Sequence, residues 1–502
     1  MLGLFGVLAG LACVEPPDRH FYVPPSDGAA DGFEPPGDFR VHDGEPPPQD
    51  SEADGPVGPP LDRGPPPDDA EVKADLAVDA ETPMPDEGPP PDGEPPPMDM
   101  APPPVDMAPP PVDMAPPPVD MAPPPLCPPP LVRVGPLELC LQRTAVDPGI
   151  AAARTGLSLV ALPQGRAMAL GGDRARAGGL TTASNDVDLL GDDGFSVTTP
   201  LLRPLLVAPA GVVQQGRVVI AGGLERRANG TIGPTRALFS ATPGGEDALV
   251  WMLGGDMSRA RAGHRLIVLN AIELLLVGGV DAEQEALGSL RMTVDGSQWR
   301  EGLTAALVTA RSEPGATKLA DGRVFVFGGF GLDGRAVAAP ETYDPVQNRW
   351  TAIQQVPLGL RPQRVGRLAA LAGGARVLIA GGIDAAGADP YDDAVMFEPG
   401  VAAIVPIAPL NVPRDGHTIT AIGPPETGRA LVLGGEVDRV AVAEVFDPAA
   451  GFVAVPLPDA WSLVGHAAVQ LDDGTVLVVG GQRPDGRNVT EASIYRLVAP
   501  PR

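Results

Sequence analysis

The sequence predicts an all-β fold built as a seven-bladed propeller behind a long proline- and aspartate-rich linker. Two observations carry this. Seven Gly-Gly doublets recur through the C-terminal three quarters of the 502-residue chain, and a short apolar, often β-branched run precedes each one. The preceding hundred or so residues have a composition that cannot build a core.

The doublets are Gly171-Gly172, Gly222-Gly223, Gly278-Gly279, Gly328-Gly329, Gly381-Gly382, Gly434-Gly435 and Gly480-Gly481, spaced by 51, 56, 50, 53, 53 and 46 residues. Runs such as Val324-Phe-Val-Phe327 and Val476-Leu-Val-Val479 read as buried strands, stopped by residues that tolerate positive φ. Upstream lies a second marker. Arg154, Arg261, Arg311 and Arg364 each stand 17 residues before their first doublet glycine, and Gly156, Gly263, Gly366 and Gly465 stand 15 before. Arg414-Asp-Gly-His417 keeps the pattern with three extra residues in its hairpin. Turn signals such as Ala320-Asp-Gly322 and Asp472-Asp-Gly474 sit between the two strands. Downstream, Tyr343-Asp-Pro345, Phe397-Glu-Pro399 and Phe446-Asp-Pro448 close a third strand, and Trp299 and Trp350 open a fourth. The first two repeats lack the aromatic-Asp-Pro element. Four strands per repeat cannot bury both faces alone, so the repeats must pack on one another.

These three markers in register resemble the kelch repeat, over about residues 131–502. The resemblance implies a kelch-type propeller. After the last doublet the chain holds one more strand, around Ala492–Tyr495, so the seventh repeat is one strand short. The segments Leu131–Val134 and Leu137–Cys140 are expected to supply its outer strand and so join the two ends in one sheet. Cys127 and Cys140 flank this segment. An even pair in an exported protein reads as a disulfide that secures the closing strand; two unpaired thiols are the other reading.

Residues 14–126 hold 35 of the 64 prolines and 26 acidic against four basic side chains. The chain carries a net charge of −28, of which this segment supplies −22, leaving −6 for residues 127–502. No basic surplus exists to neutralise phosphates, so a nucleic-acid partner is not expected. The unit Ala101-Pro-Pro-Pro-Val-Asp-Met107 repeats through Met121. Three consecutive prolines per unit forbid a helix and favour an extended polyproline II spacer. Its sharper reading is a ligand for a proline-recognition domain.

Residues 1–13 read as a signal peptide: eleven apolar or small residues, then Ala12-Cys13. The end resembles the lipobox of bacterial lipoproteins, which implies lipidation of Cys13 and a place in the cell envelope, at the outer membrane or cell surface. An ordinary cleaved signal peptide is the alternative. No later run of about 20 apolar residues follows, so the membrane is expected to be met through the lipid alone.

For catalysis the sequence offers little. Galactose oxidase, a copper enzyme, has a kelch-type propeller. Here His264, His417 and His466 occupy repeat positions, as do Tyr343 and Tyr495; His20, His42 and Tyr22 precede residue 127, and Tyr391 is left. No imidazole and thiolate set converges, so neither a copper site nor another metal or cofactor is expected. Asp384, Asp389, Asp392 and Asp393 form the densest carboxylate group, read as a solvated acidic loop with hard-cation binding as the alternative. The repeat arginines are read as braces between neighbouring repeats, with an anion-attracting rim as the alternative. The function expected is a non-catalytic, surface-displayed binding module, monomeric, with a protein or glycan ligand. The alternative is a carbohydrate hydrolase or epimerase working in the propeller channel.

Overall fold

The computed structural model describes residues 127, 131–175, 181–205, 210–214, 216–227, 231–243, 249–295, 298–385, 388–436, 442–457 and 463–501. Cys13 and the proline-rich segment 14–126 lie outside the described residues.

The chain is all-β, organised as successive antiparallel sheets. In sheet one the strands run in spatial order Ser158–Ala161, Ala167–Leu170, Val187–Gly191 and Gly194–Val197. Sheet two pairs Ala210–Gln214, Arg217–Ala221, Ile232–Pro243 and the long Leu249–Arg261. Sheets three to six repeat the four-strand meander, opening at Arg265–Val268, Gly315–Lys318, Leu368–Leu371 and Asp415–Ala421. Sheet seven opens at Ala467–Gln470 and continues through Val476–Val479 and Ala492–Val498. The first strand of each sheet lies against the first strand of the next, and that of sheet seven lies against that of sheet one.

Each second strand is buried on both faces, which explains its unbroken apolar run. Side chains alternate across a strand. In sheet four, Val324 and Val326 pack with Leu275, Val277 and Ile267 of sheet three. Phe325 and Phe327 face the other way, onto Leu368, Val377 and Phe397 of sheet five. Phe325 and Phe397 stack with ring centroids 4.2 Å apart. The core is therefore a series of apolar layers between neighbouring sheets, with no single centre.

Both glycines of every doublet have positive φ, for example 63° and 102° at Gly381 and Gly382. Close approach is a second constraint. A Cβ on Gly381 would stand 2.8 Å from both the Arg414 carbonyl oxygen and His417 Cε1 of the next sheet. The doublet thus ends the second strand and admits the following sheet against its backbone.

The N-terminal segment joins sheet seven, with different bounds from those expected. Strand β1, Val132–Val134, is followed by a 3-10 turn at Gly135–Leu137 and strand β2, Leu139–Val146. β2 pairs antiparallel with Ala492–Val498 over seven residues, from Cys140 opposite Val498 to Val146 opposite Ala492. β1 folds back on β2 as a fifth strand. Residues 131–140 cannot form one strand, because the Gly135-Pro136 turn reverses the chain. Cys127 and Cys140 are joined as a disulfide, their Cα atoms 5.9 Å apart.

Candidate functional site

The side chains shared by the repeats converge where one sheet meets the next. The second doublet glycine donates its N–H to a backbone carbonyl at the entry to the following sheet. The bonds run Gly172 to Leu205, Gly223 to Arg261, Gly279 to Arg311, Gly329 to Gln363, Gly382 to Arg414 and Gly435 to Leu463, at 2.8–3.2 Å. Gly481 donates to Arg154 at 3.0 Å, linking sheet seven to sheet one.

At four of these seven places the entry residue is an arginine whose side chain turns back into its own sheet. Arg154, Arg311 and Arg414 are fully buried and Arg261 is nearly so. Nη1 donates to the carbonyl of the first doublet glycine: Gly171 at 2.8 Å, Gly278 at 2.5 Å, Gly328 at 3.3 Å and Gly434 at 2.9 Å. The arginine therefore touches two sheets, the earlier through its carbonyl oxygen and its own through the guanidinium. Nη2 of Arg154, Arg311 and Arg414 pairs with Asp188, Glu341 and Glu444 on the third strand. Burial lowers the pKa of these arginines, and the carboxylates act against that. Arg261 has Leu290 at the corresponding strand position and bonds the Gly288 carbonyl at 2.8 Å; burial lowers its pKa to about 10.

The carboxylates were not singled out from the sequence. Their signal is position: Glu341 and Glu444 stand two residues before Tyr343 and Phe446, so they share the inward-facing register of the aromatic. Each also accepts backbone N–H groups of the incoming linker. Val308 and Thr309 donate to Glu341 at 2.7 and 3.0 Å, and Asn411 and Val412 to Glu444 at 2.7 and 3.2 Å.

The expected role of Arg364 needs correction. Gln363 holds the entry position in sheet five, with Nε2 donating to the Ala380 and Gly381 carbonyls at 3.2 and 2.7 Å. The guanidinium carbon of Arg364 lies 4.8 Å from the centre of the Phe330 ring. One residue, Val365, is inserted before Gly366, so counting back from Gly381 lands one place late. Where glutamine replaces the arginine, Val395 replaces the carboxylate.

The repeat histidines are buried as well. His417 Nε2 donates to the Ala380 carbonyl at 3.1 Å, and His466 Nε2 lies 2.9 Å from Thr418 Oγ1. Burial first, then nearby arginines, push the pKa of His264 to about 3 and that of His466 to about 4; His417 also falls well below its usual value. All three are neutral in the fold near pH 7. A histidine whose folded pKa is lowered favours the folded state above the unfolded pKa of about 6.5, and that preference is lost as protons bind the unfolded chain. Stability is expected to fall from pH 6.5 to about pH 4, by about 1–2 kcal/mol for each histidine at pH 5. Urea titrations at pH 7 and pH 5 measure this. Asp447, Asp473 and Glu273 have lowered pKa values through arginine or threonine partners, so they contribute a separate loss at more acid pH. A His466→Gln variant should flatten the upper part of the curve.

Asp389, Asp392 and Asp393 flank the buried Tyr391 in sequence, and Asp384 and Asp393 act on it electrostatically. Arg361 Nε pairs with Asp393 at 3.1 Å and its guanidinium covers the Tyr391 ring at 5.0 Å. The phenol donates to the Pro362 carbonyl. Burial, followed by Asp384 and Asp415, pushes its pKa up, so it stays protonated. Among the described residues no three His, Cys, Asp or Glu side chains group as metal ligands.

A cleft of about 380 Å³ opens on the outer edge of the seam between sheets four and five. It is lined by Asp344, Gln347 and Arg349 of sheet four, by Gln354 and Gln355 of the linker, and by Val401 at the turn of sheet five. The sequence reading did not pick it out.

No family model matches the chain. Two curated proteins of Limulus polyphemus, both kelch-repeat proteins, are similar to parts of it. Beta-scruin is 30% identical over 114 residues, covering 21% of this chain and 12% of its own length. Alpha-scruin is 35% identical over 74 residues, covering 15% and 8%. The chain thus spans about an eighth of those relatives or less. The similarity supports kelch-type repeats here and leaves the rest of each relative uncompared.

Proposed function

We propose that residues 127–502 form a closed seven-bladed propeller of the kelch type that works as a non-catalytic binding module. The observation that carries this reading is the use made of the shared repeat residues. Doublet glycine and histidine bond one sheet to the next, the buried arginine and carboxylate fix the entry residue within its own sheet, and the Gly481–Arg154 bond continues the same pattern from sheet seven to sheet one. The polar side chains left to meet a ligand are then those of the loops and outer seams, which vary between repeats.

In this reading Cys13 carries a lipid, residues 14–126 are a spacer, and the propeller is displayed at the cell envelope as a monomer. The acidity and proline content of the spacer support an extended tether. The ligand is a glycan or a surface protein. Labelling with a radioactive fatty acid tests the anchor: incorporation should vanish in Cys13→Ala. The purified protein, screened against glycan and envelope-protein panels, should bind at least one member without consuming it. Turnover of a sugar substrate, abolished by one channel substitution, would overturn the binding reading in favour of a carbohydrate-active enzyme. An electron-microscopy reconstruction with other than seven sheets in the ring would overturn the architecture.

A further inference from the structure

The cleft between sheets four and five is a product of linker length. Ten residues separate the outer strand of sheet four, ending at Ala352, from the entry residue Gln363. The corresponding connection into sheet four, from Gly302 to Arg311, has eight, and that into sheet six, from Pro406 to Arg414, has seven. The longer linker runs along the outer edge. Gln355 bridges Ala403 in parallel, and Ile404 N–H donates to the Gln355 carbonyl at 2.8 Å. Among the described residues this is the one isolated bridge of parallel sense. It carries Gln354 and Gln355 across to the outer face and leaves the cleft beneath.

The lining has a definite chemical character. Gln347, Gln354 and Gln355 are exposed amides, each with donor and acceptor in one plane. Asp344 and Arg349 stand directly opposite each other in the strand pair, so their charges balance. Arg323, at the inner end, is held by Asp321 at 2.6–2.8 Å and by the Pro399 carbonyl at 3.1 Å. Positive charge is thus not in surplus, which disfavours a polyanion. Strand addition by a peptide is disfavoured too, because Gln355 already occupies the edge at Ala403–Ile404. Vicinal hydroxyls, which both donate and accept, suit planar amides with one guanidinium, Arg349, and one carboxylate, Asp344, nearby. Val401, which is exposed and lines the cleft, offers apolar contact for the C–H face of a sugar ring. The volume lies near the lower end for ligand sites.

We propose that this cleft binds a short segment of a neutral oligosaccharide, an inference that rests on the binding-module reading and names its ligand class. The test screens the full-length protein against immobilised neutral di- to hexasaccharides, with sulfated glycans alongside, and then titrates each hit calorimetrically. Arg349→Ala and the double variant Gln354→Ala/Gln355→Ala should each weaken a neutral hit at least tenfold, with thermal unfolding unchanged because all three side chains are exposed. A substitution on an unrelated outer seam, Arg300→Ala, should leave binding intact. Neutral-glycan binding unaffected by the cleft variants would overturn the site and leave the binding-module reading standing. Binding confined to sulfated glycans, or to a protein, would overturn the ligand class. Absence of any ligand across glycan and protein panels would overturn both.

Discussion

Glu341→Val is expected to destabilise the protein by about 3–5 kcal/mol, because it strands a buried cation. Arg311 and Glu341 have no exposed side-chain surface. Removing the carboxylate leaves the guanidinium without its counter-charge and takes the acceptor from Val308 and Thr309 N–H. An exposed pair would be worth well under 1 kcal/mol, so the magnitude itself reports on burial. Sheet five already holds the apolar alternative, Gln363 with Val395. Transplanting it as Arg311→Gln/Glu341→Val should recover more than half of the loss, since glutamine can still reach the Gly328 carbonyl and no charge remains inside. Arg311→Gln alone should cost at least 2 kcal/mol, through an unpaired carboxylate. Chemical denaturation of the three variants gives the coupling energy directly. A loss below 1 kcal/mol for Glu341→Val, or a double variant worse than both single ones, would show that the pair does not hold the entry of sheet four in place.

Repeat spacing made the sheets legible because the Gly-Gly doublet answers two local demands, positive φ and close approach of the next sheet. Both can be read from residue identity. The arginines were legible as buried cations in need of carbonyls, but those carbonyls belong to their own sheet, and the link to the neighbouring sheet runs through the arginine's backbone oxygen and not through its guanidinium. Their carboxylate partners were harder to see, since the match is made across about 30 residues and depends on strand register. Arg364 shows the limit of counting. A single inserted residue, Val365, shifts spacing without shifting the strand pair, and only backbone bonding reveals Gln363 as the entry residue. The cleft is a case of assembly. Residues 342–355 and 401–402 have ordinary local patterns and line a cleft only where two sheets pack side by side.

Deleting residues up to Val146 is expected to have the larger effect, loss of cooperative folding. β2 supplies seven paired residues to Ala492–Val498, and without it that strand becomes an open edge. It also covers apolar surface. Leu141 of β2 and Val134 of β1 are buried with Val453, Val455 and Tyr495 in the layer between sheets six and seven. Fully burying a side chain of this kind contributes about 1.5–3 kcal/mol, so two of them with a strand ladder approach the whole stability of an ordinary domain. Breaking the covalent tie alone should be milder. Cys127→Ser/Cys140→Ser frees a 13-residue separation in the unfolded chain, worth about 3 kcal/mol in the chain-entropy model. The expected order is therefore wild type, then the cysteine variant with a lowered but still sharp unfolding transition, then the truncated chain with a broad one and a tendency to aggregate. Hydrogen exchange locates the cause: in the cysteine variant protection should fall first at β1 and β2, and in the truncated chain at Ala492–Val498. A truncated chain that unfolds as sharply as the wild type would mean that sheet seven is complete without β2, and the N-terminal strand would be an addition to that sheet that its stability does not need.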